Sequence, residues 1–251
     1  MDYCLQCKNI HYSYCQEDNQ VIDNVSFNVK EGEKIGLVGA NGAGKTTLLN
    51  LILGIASPRK GTIIVGDLEV NKKNLSDIRN KVGFVFQNAD DQLFMPSVYD
   101  DIAFGLRNCN IREDQVKDQV DKVLKMLNIY DLKERPPYKL SGGEKRAVAI
   151  ATVLAMDPKI IIMDEPTIGL DPKSRRQFIN FLKTMDKTLI IATHDMDMVW
   201  ELCSRAIVMD KGKLIGDGDS SEILSNKEIM DNSSLEMPLY LQGYRAAKKE
   251  A

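Results

Sequence analysis

The octapeptide Gly39-Ala40-Asn41-Gly42-Ala43-Gly44-Lys45-Thr46 limits the fold of this chain more than any other stretch. Before it, Lys34–Val38 is a short apolar run of the kind buried inside a parallel sheet. After it, residues 45–53 place Leu48, Leu49, Ile52 and Leu53 at helical spacing. Strand, glycine loop and helix together make a phosphate cradle, the Walker A pattern. Backbone N–H groups freed of side chains converge on phosphate oxygens, and the helix N-terminus adds partial positive charge. Gly39, Asn41, Gly42 and Gly44 are the loop residues expected around the phosphates. Lys45 is expected to reach the β- and γ-phosphates, Thr46 to ligate Mg²⁺, and Thr47 to extend the phosphate contacts. The ligand these residue types call for is Mg·ATP.

A second constellation fits the first. Ile160-Ile161-Ile162-Met163-Asp164-Glu165 is an apolar strand ending in two acids. Asp164 is placed to hold Mg²⁺ through its water shell, and Glu165 to polarise the attacking water as a general base. Alone, two acids at a strand end would be a solvated terminus; downstream of the cradle they read as a Walker B arrangement. Leu140-Ser141-Gly142-Gly143-Glu144 then opens a helix, with Ser141 and Glu144 at capping-box spacing. Paired glycines weaken a first turn but let backbone N–H groups approach an anion closely, so this helix start reads as a second phosphate surface.

The rest of the chain reads as α/β. Residues 3–14 and 21–29 have strand character, with Val25, Phe27 and Val29 on one face; residues 61–70 form a hairpin folded at Gly66-Asp67, and 82–86 a buried strand. From about 90 to 156 the pattern is helical, with Val116, Val120, Val123, Leu124 and Leu127 as one stripe. Strands follow at 159–163 and 188–193 with a helix at 173–185 between them, then a strand pair around Lys211-Gly212 and a polar tail from Ser220. Cys4 and Cys7 spell C-x-x-C, but His11 and His194 are the only histidines and no ligand set accompanies the pair. Five cysteines, an odd count, fit reduced thiols in a cytoplasm. A net charge of −3 gives no general attraction to nucleic acid, and the basic Arg245, Lys248 and Lys249 read as a solvated end. No apolar run approaches the roughly 20 residues of a membrane span. Met1-Asp2-Tyr3-Cys4 begins no secretory signal, so the chain is expected to stay on the side of the membrane where it is made.

In this order the motifs resemble the nucleotide-binding subunits of ATP-binding cassette (ABC) transporters over nearly the whole chain. The matching positions are the Walker A residues, Gln87 as the Q-loop glutamine, and Leu140-Ser141-Gly142-Gly143 as the family motif. Asp164 with Glu165, the D-loop Gly169-Leu170-Asp171 and the switch histidine His194 complete the series. Tyr14 matches the aromatic that stacks on adenine in that family, with Tyr12 as the alternative. The resemblance implies a P-loop NTPase (RecA-like) core with an N-terminal antiparallel β-subdomain and an inserted α-helical subdomain at about 90–156. It sets residues 1–225 as the nucleotide-binding domain and 226–251 as a short C-terminal extension. It further implies half-enzymes that pair head to tail around two ATP molecules, with Ser141, Gly142 and Gly143 of one subunit meeting the nucleotide of the other. Asp171 would join the two sites, His194 would hold the γ-phosphate and Glu165 in register, and Gln87 would serve both Mg²⁺ and communication with membrane subunits.

The segments Phe86-Gln87-Asn88-Ala89-Asp90-Asp91-Gln92-Leu93-Phe94 and Val98-Tyr99-Asp100-Asp101-Ile102-Ala103-Phe104-Gly105 are similar to energy-coupling factor and cobalt or nickel importer ATPases, although those subunits commonly have proline at the position of Ala89. Leu235-Glu236-Met237-Pro238 looks like the extension that this branch uses in subunit pairing. The implied partners are a second ABC ATPase, identical or related, an integral membrane coupling subunit and a substrate-binding membrane subunit, at the cytoplasmic face of the membrane. Cobalt, nickel and vitamins stand equally as cargo. Asp90, Asp91, Asp100 and Asp101 are expected to make an acidic surface for basic coupling helices. Three rivals share parts of this pattern: a non-transport ABC ATPase, a P-loop kinase and an exporter ATPase.

Overall fold

The computed structural model describes residues 3–14 and 20–242; Met1, Asp2, Arg245, Lys248 and Lys249 lie outside the described residues. The chain opens with β1 (Tyr3–Tyr12) and β2 (Ile22–Lys30), and β3 (Lys34–Val38) runs into the glycine loop and α1 (Lys45–Ile52). A hairpin of β4 (Lys60–Val65) and β5 (Leu68–Glu69) turns at Gly66, whose φ of +61° suits glycine. Next come α2 (Leu75–Lys81) and β6 (Val82–Val85), a single 3-10 turn at Ala89–Asp91, and then α3 (Val98–Asn108), α4 (Glu113–Met126) and α5 (Gly142–Ala155). After these follow β7 (Ile160–Asp164), α6 (Pro172–Thr184), β8 (Thr188–Thr193), α7 (Met196–Leu202), β9 (Arg205–Asp210) and β10 (Lys213–Asp219). Two short helices, α8 (Ser220–Ser225) and α9 (Lys227–Asn232), lie in what reads from sequence as a polar tail.

Two sheets result. One is antiparallel, in the order β2-β1-β4-β5; the other has the order β10-β9-β3-β8-β7-β6 and is parallel except where β10 meets β9. The parallel strands are apolar through their middles because both faces are covered, with Lys34, Asp164, Arg205 and Asp210 confined to strand ends. Ile160 and Ile162 of β7 point into the core shared with the antiparallel sheet, while Ile161 and Met163 join Ile179, Ile191 and Val199 on the other side. A third core joins α3, α4 and α5 through Ile102, Leu106, Val120, Leu124 and Val148. Leu127 falls at the C-cap of α4 and is only half-buried.

Register decides where the chemistry gathers. Val38 pairs with Thr193 and Asp164 with Ala192, so β3, β7 and β8 end at one level of the sheet. The carboxyl edge of such a sheet is where doubly wound α/β folds bind ligands. Among the described residues no helix is long and apolar enough to cross a membrane. Cys4, Cys7, Cys109 and Cys203 are free thiols, and burial pushes the Cys7 thiol well above its ordinary range, which leaves it unreactive.

Candidate active site

The glycine loop turns where side chains cannot fit. A Cβ on Gly39 would come within 2.5 Å of the Met209 carbonyl oxygen, and Gly44, at φ +103°, caps α1 in a left-handed conformation. In front of the loop lies a cavity of about 330 Å³, lined by Asn41, Gly42, Gly44, Lys45, Thr46 and Thr47 together with Gln87, Asp164, Glu165 and His194. Gly39 is the one predicted loop residue that does not line it.

Lys45 is buried, and its Nζ donates to the carbonyl oxygens of Gly39 at 2.7 Å and Ala40 at 3.3 Å. Burial pulls its ammonium down while Glu165 and Asp164 work to keep it charged. Thr46 Oγ1 donates to Asp164 Oδ2 at 2.8 Å. Burial raises the Asp164 carboxyl above its ordinary value and the charge of Glu165 adds to this, against the opposing Thr46 hydrogen bond and Lys45. A buried carboxylate touching a hydroxyl is a hard-oxygen pair that suits Mg²⁺, which completes its shell with waters and phosphate oxygens. Among the described residues no three His, Cys, Asp or Glu side chains converge as a metal cage. The donor set therefore fits an ion held jointly with a polyphosphate.

Glu165 has φ +46°, a left-handed conformation that costs a non-glycine residue on the order of 1 kcal/mol. Its N–H donates to Ala192 O at 2.8 Å, which holds this backbone against β8. Thr193 Oγ1 donates to Glu165 Oε2 at 2.9 Å, and His194 Nδ1 meets Oε1 at 2.8 Å. Both carboxylate oxygens are thus fixed, while the His194 side chain remains 55% exposed at the rim. Asp195, the next residue, takes a bidentate pair from Arg175 on α6 at 2.8 and 2.7 Å and accepts from Thr167 Oγ1 at 3.3 Å. Burial works to raise the Asp195 carboxyl, but Arg175 and the hydrogen bonds hold it below the usual carboxylate range. Thr193, Asp195, Arg175 and Thr167 escaped the sequence reading. The available signal was adjacency alone, since Thr193 and Asp195 flank His194 and Thr167 follows Glu165-Pro166.

Ser141 caps α5 as its spacing predicts: its Oγ accepts from Glu144 N at 3.3 Å, and Glu144 Oε2 accepts from Ser141 N at 2.7 Å. The nearest atom to a Cβ on Gly142 would be Gly169 O at 3.8 Å, so internal packing does not demand glycine there. Ser141, Gly142 and Gly143 line a separate hollow of about 720 Å³ with Gly169, Leu170 and Asp171. None of the three lines the cavity that holds Lys45. Asp171 caps α6 through the N–H groups of Lys173 and Ser174. Tyr14 places its hydroxyl 2.8 Å from Thr47 Oγ1, with the ring 64% exposed and set edge-on to the half-buried Tyr12 at 5.1 Å. Of the two tyrosines, Tyr14 presents the open face.

The expected acidic surface forms only in part, with Asp90 and Asp91 exposed. Asp101 is buried and its Oδ1 accepts from the N–H groups of Phe94 and Met95, while Asp100 pairs with Arg107 and Asp90 with Lys145. Of the four, Asp91 and the buried Asp101 have no cationic partner among the described ion pairs. The side of this region that faces solvent is also aromatic: Phe94, 65% exposed, meets Phe104 edge-to-face at 5.1 Å, and Phe86 is exposed.

A family model described as ABC transporter matches residues 22–168. A Geobacter sulfurreducens protein, named provisionally as an ABC transporter ATP-binding protein, is 46% identical over 92% of this chain and 93% of its own length. An energy-coupling factor transporter ATP-binding protein of Methanospirillum hungatei is 40% identical over 96% of this chain and 62% of its own. Among solved structures, cbiO1 from Clostridium perfringens, described as part of the ABC transporter complex cbiONQ, superposes with a TM-score of 0.83 at 38% identity, covering 92% of this chain and 94% of that one. An ATP-binding cassette solved as a dimer in a post-hydrolysis state, bound to ADP and phosphate, gives 0.77 at 28% identity, over 86% of this chain and 98% of that one.

Proposed function

The chain belongs to the ABC transporter ATP-binding subunits and hydrolyses ATP, and from that premise we propose that it is the motor of an importer of energy-coupling factor type. Lys45 and the loop N–H groups hold the β- and γ-phosphates, and Tyr14 stacks its open face on adenine. Thr46, Asp164 and Gln87 would hold Mg²⁺, which would supply screening of the phosphate charge. Glu165 takes the proton of the attacking water. His194, with Nδ1 engaged by Glu165, has its other ring nitrogen left for the γ-phosphate.

One observation carries the pairing: Ser141, Gly143 and Asp171 share no hollow with Lys45 or Glu165, and Gly142 alone also reaches the neighbouring one of Thr46 and Gln87. Residues 141–143 and Asp171 line one hollow while Lys45 and Glu165 line another, so each site is finished by a second cassette set head to tail. The dimeric form of the solved cassette with ADP and phosphate supports this arrangement. Residues 226–251 are the short extension, in which Leu235 and Met237 pack on the core and Tyr240 stacks on Trp200. The importer type draws support from the likeness to cbiO1 and to the energy-coupling factor protein. Phe86, Phe94 and Phe104, beside Gln87, are the face for a membrane coupling subunit, which would keep the chain peripheral on the cytoplasmic side of the membrane.

Affinity capture of the chain from its native membranes tests the transport reading. A multi-spanning coupling subunit and a substrate-binding membrane subunit should come with it, and Phe94→Asp should reduce that capture without changing ATP affinity. Recovery of the chain without membrane partners, or capture indifferent to Phe94→Asp, would count against it.

A further inference from the structure

Arg146 stands on the second turn of α5, five residues beyond Ser141, and is only 5% exposed. Its guanidinium forks onto two successive carbonyl oxygens: Nη1 donates to Phe86 O at 2.7 Å and Nη2 to Gln87 O at 2.6 Å. Burial alone lowers its pKa, and no carboxylate enters the balance. A buried charge without a counter-charge is a poor stabiliser, and an apolar side chain of similar volume commonly serves a fold as well or better. What the fork supplies is geometry, because a planar guanidinium fixes the relative orientation of its two acceptors, whereas the rotatable donors of an ammonium do not.

The clamp lies on a seam between the two phosphate surfaces. Arg146 lines the hollow of Ser141 and Asp171, and also a neighbouring one shared by Gln87, Thr46 and Asp164. Two further links follow the same seam. Lys145 pairs with Asp90 at 2.6 Å, and Gln92 accepts from Phe86 N at 3.2 Å while donating to Ala149 O and Thr152 Oγ1 on α5, each at 2.7 Å. Residues 86–92 are therefore fastened to the flank of the helix that Ser141 begins.

We propose that Arg146 is a positioning residue for ATP hydrolysis, which locks Gln87 to α5 so that the glutamine of one phosphate surface and the serine of the other move as a single body. This inference rests on the roles given above to Gln87 and Ser141.

Arg146→Met keeps the bulk and removes the fork. It should melt close to the parent chain and leave KM for ATP within about twofold, while kcat falls about tenfold or more. Arg146→Ala should regain turnover when guanidinium is added at millimolar concentration, and not when methylammonium replaces it. Unchanged kcat in Arg146→Met would overturn the proposal. So would a loss of kcat accompanied by a lowered melting temperature and untouched by guanidinium. Gln87→Ala separates this from the underlying reading. Normal turnover in Gln87→Ala would sink the role of Gln87 and the latch with it, whereas slow turnover there beside normal turnover in Arg146→Met would sink the latch alone.

Discussion

Glu165 needs several neighbours to hold it where it is. Its left-handed backbone is tied to Ala192, and its two carboxylate oxygens are held by Thr193 and His194. Behind His194, the Arg175–Asp195 pair braces the segment against α6. Lys45, Thr46, Asp164 and Glu165 were legible in sequence because phosphate and Mg²⁺ chemistry prescribes those residue types at those spacings. The Arg175–Asp195 pair and Arg146 were not, since each contact joins elements whose approach only the fold fixes. Asp195→Asn should destabilise the chain by about 2 kcal/mol at neutral pH, because it leaves a half-buried guanidinium without its charge partner. The folded-state carboxyl of Asp195 lies below its ordinary value, so its contribution is complete above that ordinary value and is lost as pH falls through the lowered one. Denaturant titrations of the parent and Asp195→Asn should therefore converge on acidification; a gap that widens toward low pH would refute the assignment.

At the scale of elements, the decisive fact is that β3, β7 and β8 stop at one level. The strands themselves were readable as apolar runs, and β8 begins and ends where the sequence pattern puts it. Their order was not readable, because the insertion of β3 between β8 and β9 depends on contacts far apart in the chain. Helix α2 was missed for want of a stripe: Ile78 is its single buried residue. The tail helices α8 and α9 were missed for the same reason, each anchored by one buried side chain of its own apolar set, Leu224 and Met230. The acidic surface lacks Asp101 because composition counts that residue as solvated, while the fold uses it to hold the turn at Phe94 and Met95. For α5, the room beside Gly142 allows a sharp test. Gly142→Ala should leave stability unchanged or raise it by up to about 0.5 kcal/mol, since alanine is the better helix former. Its turnover should nonetheless fall, because a methyl group would cover backbone meant for the partner's phosphates. Thermal melts and phosphate release measured together would decide this, and full activity in Gly142→Ala would remove the case for that surface.

For the whole molecule, the proposed pairing makes the cavity around Lys45 and the hollow around Ser141 two halves of sites that a second copy closes. The glycine loop marks an ATP-binding chain; the placing of Ser141 and Asp171 away from Lys45 and Glu165 is what supports reading it as one member of a pair. The most direct measurement is the mass in solution of Glu165→Gln, which should bind ATP without turning it over. Light scattering should give the mass of one chain without nucleotide and twice that mass with Mg·ATP, and adding Ser141→Arg to the same chain should abolish the doubling while ATP still binds. A Glu165→Gln chain that stays at single mass when saturated with ATP, or one whose doubling survives Ser141→Arg, would contradict the account.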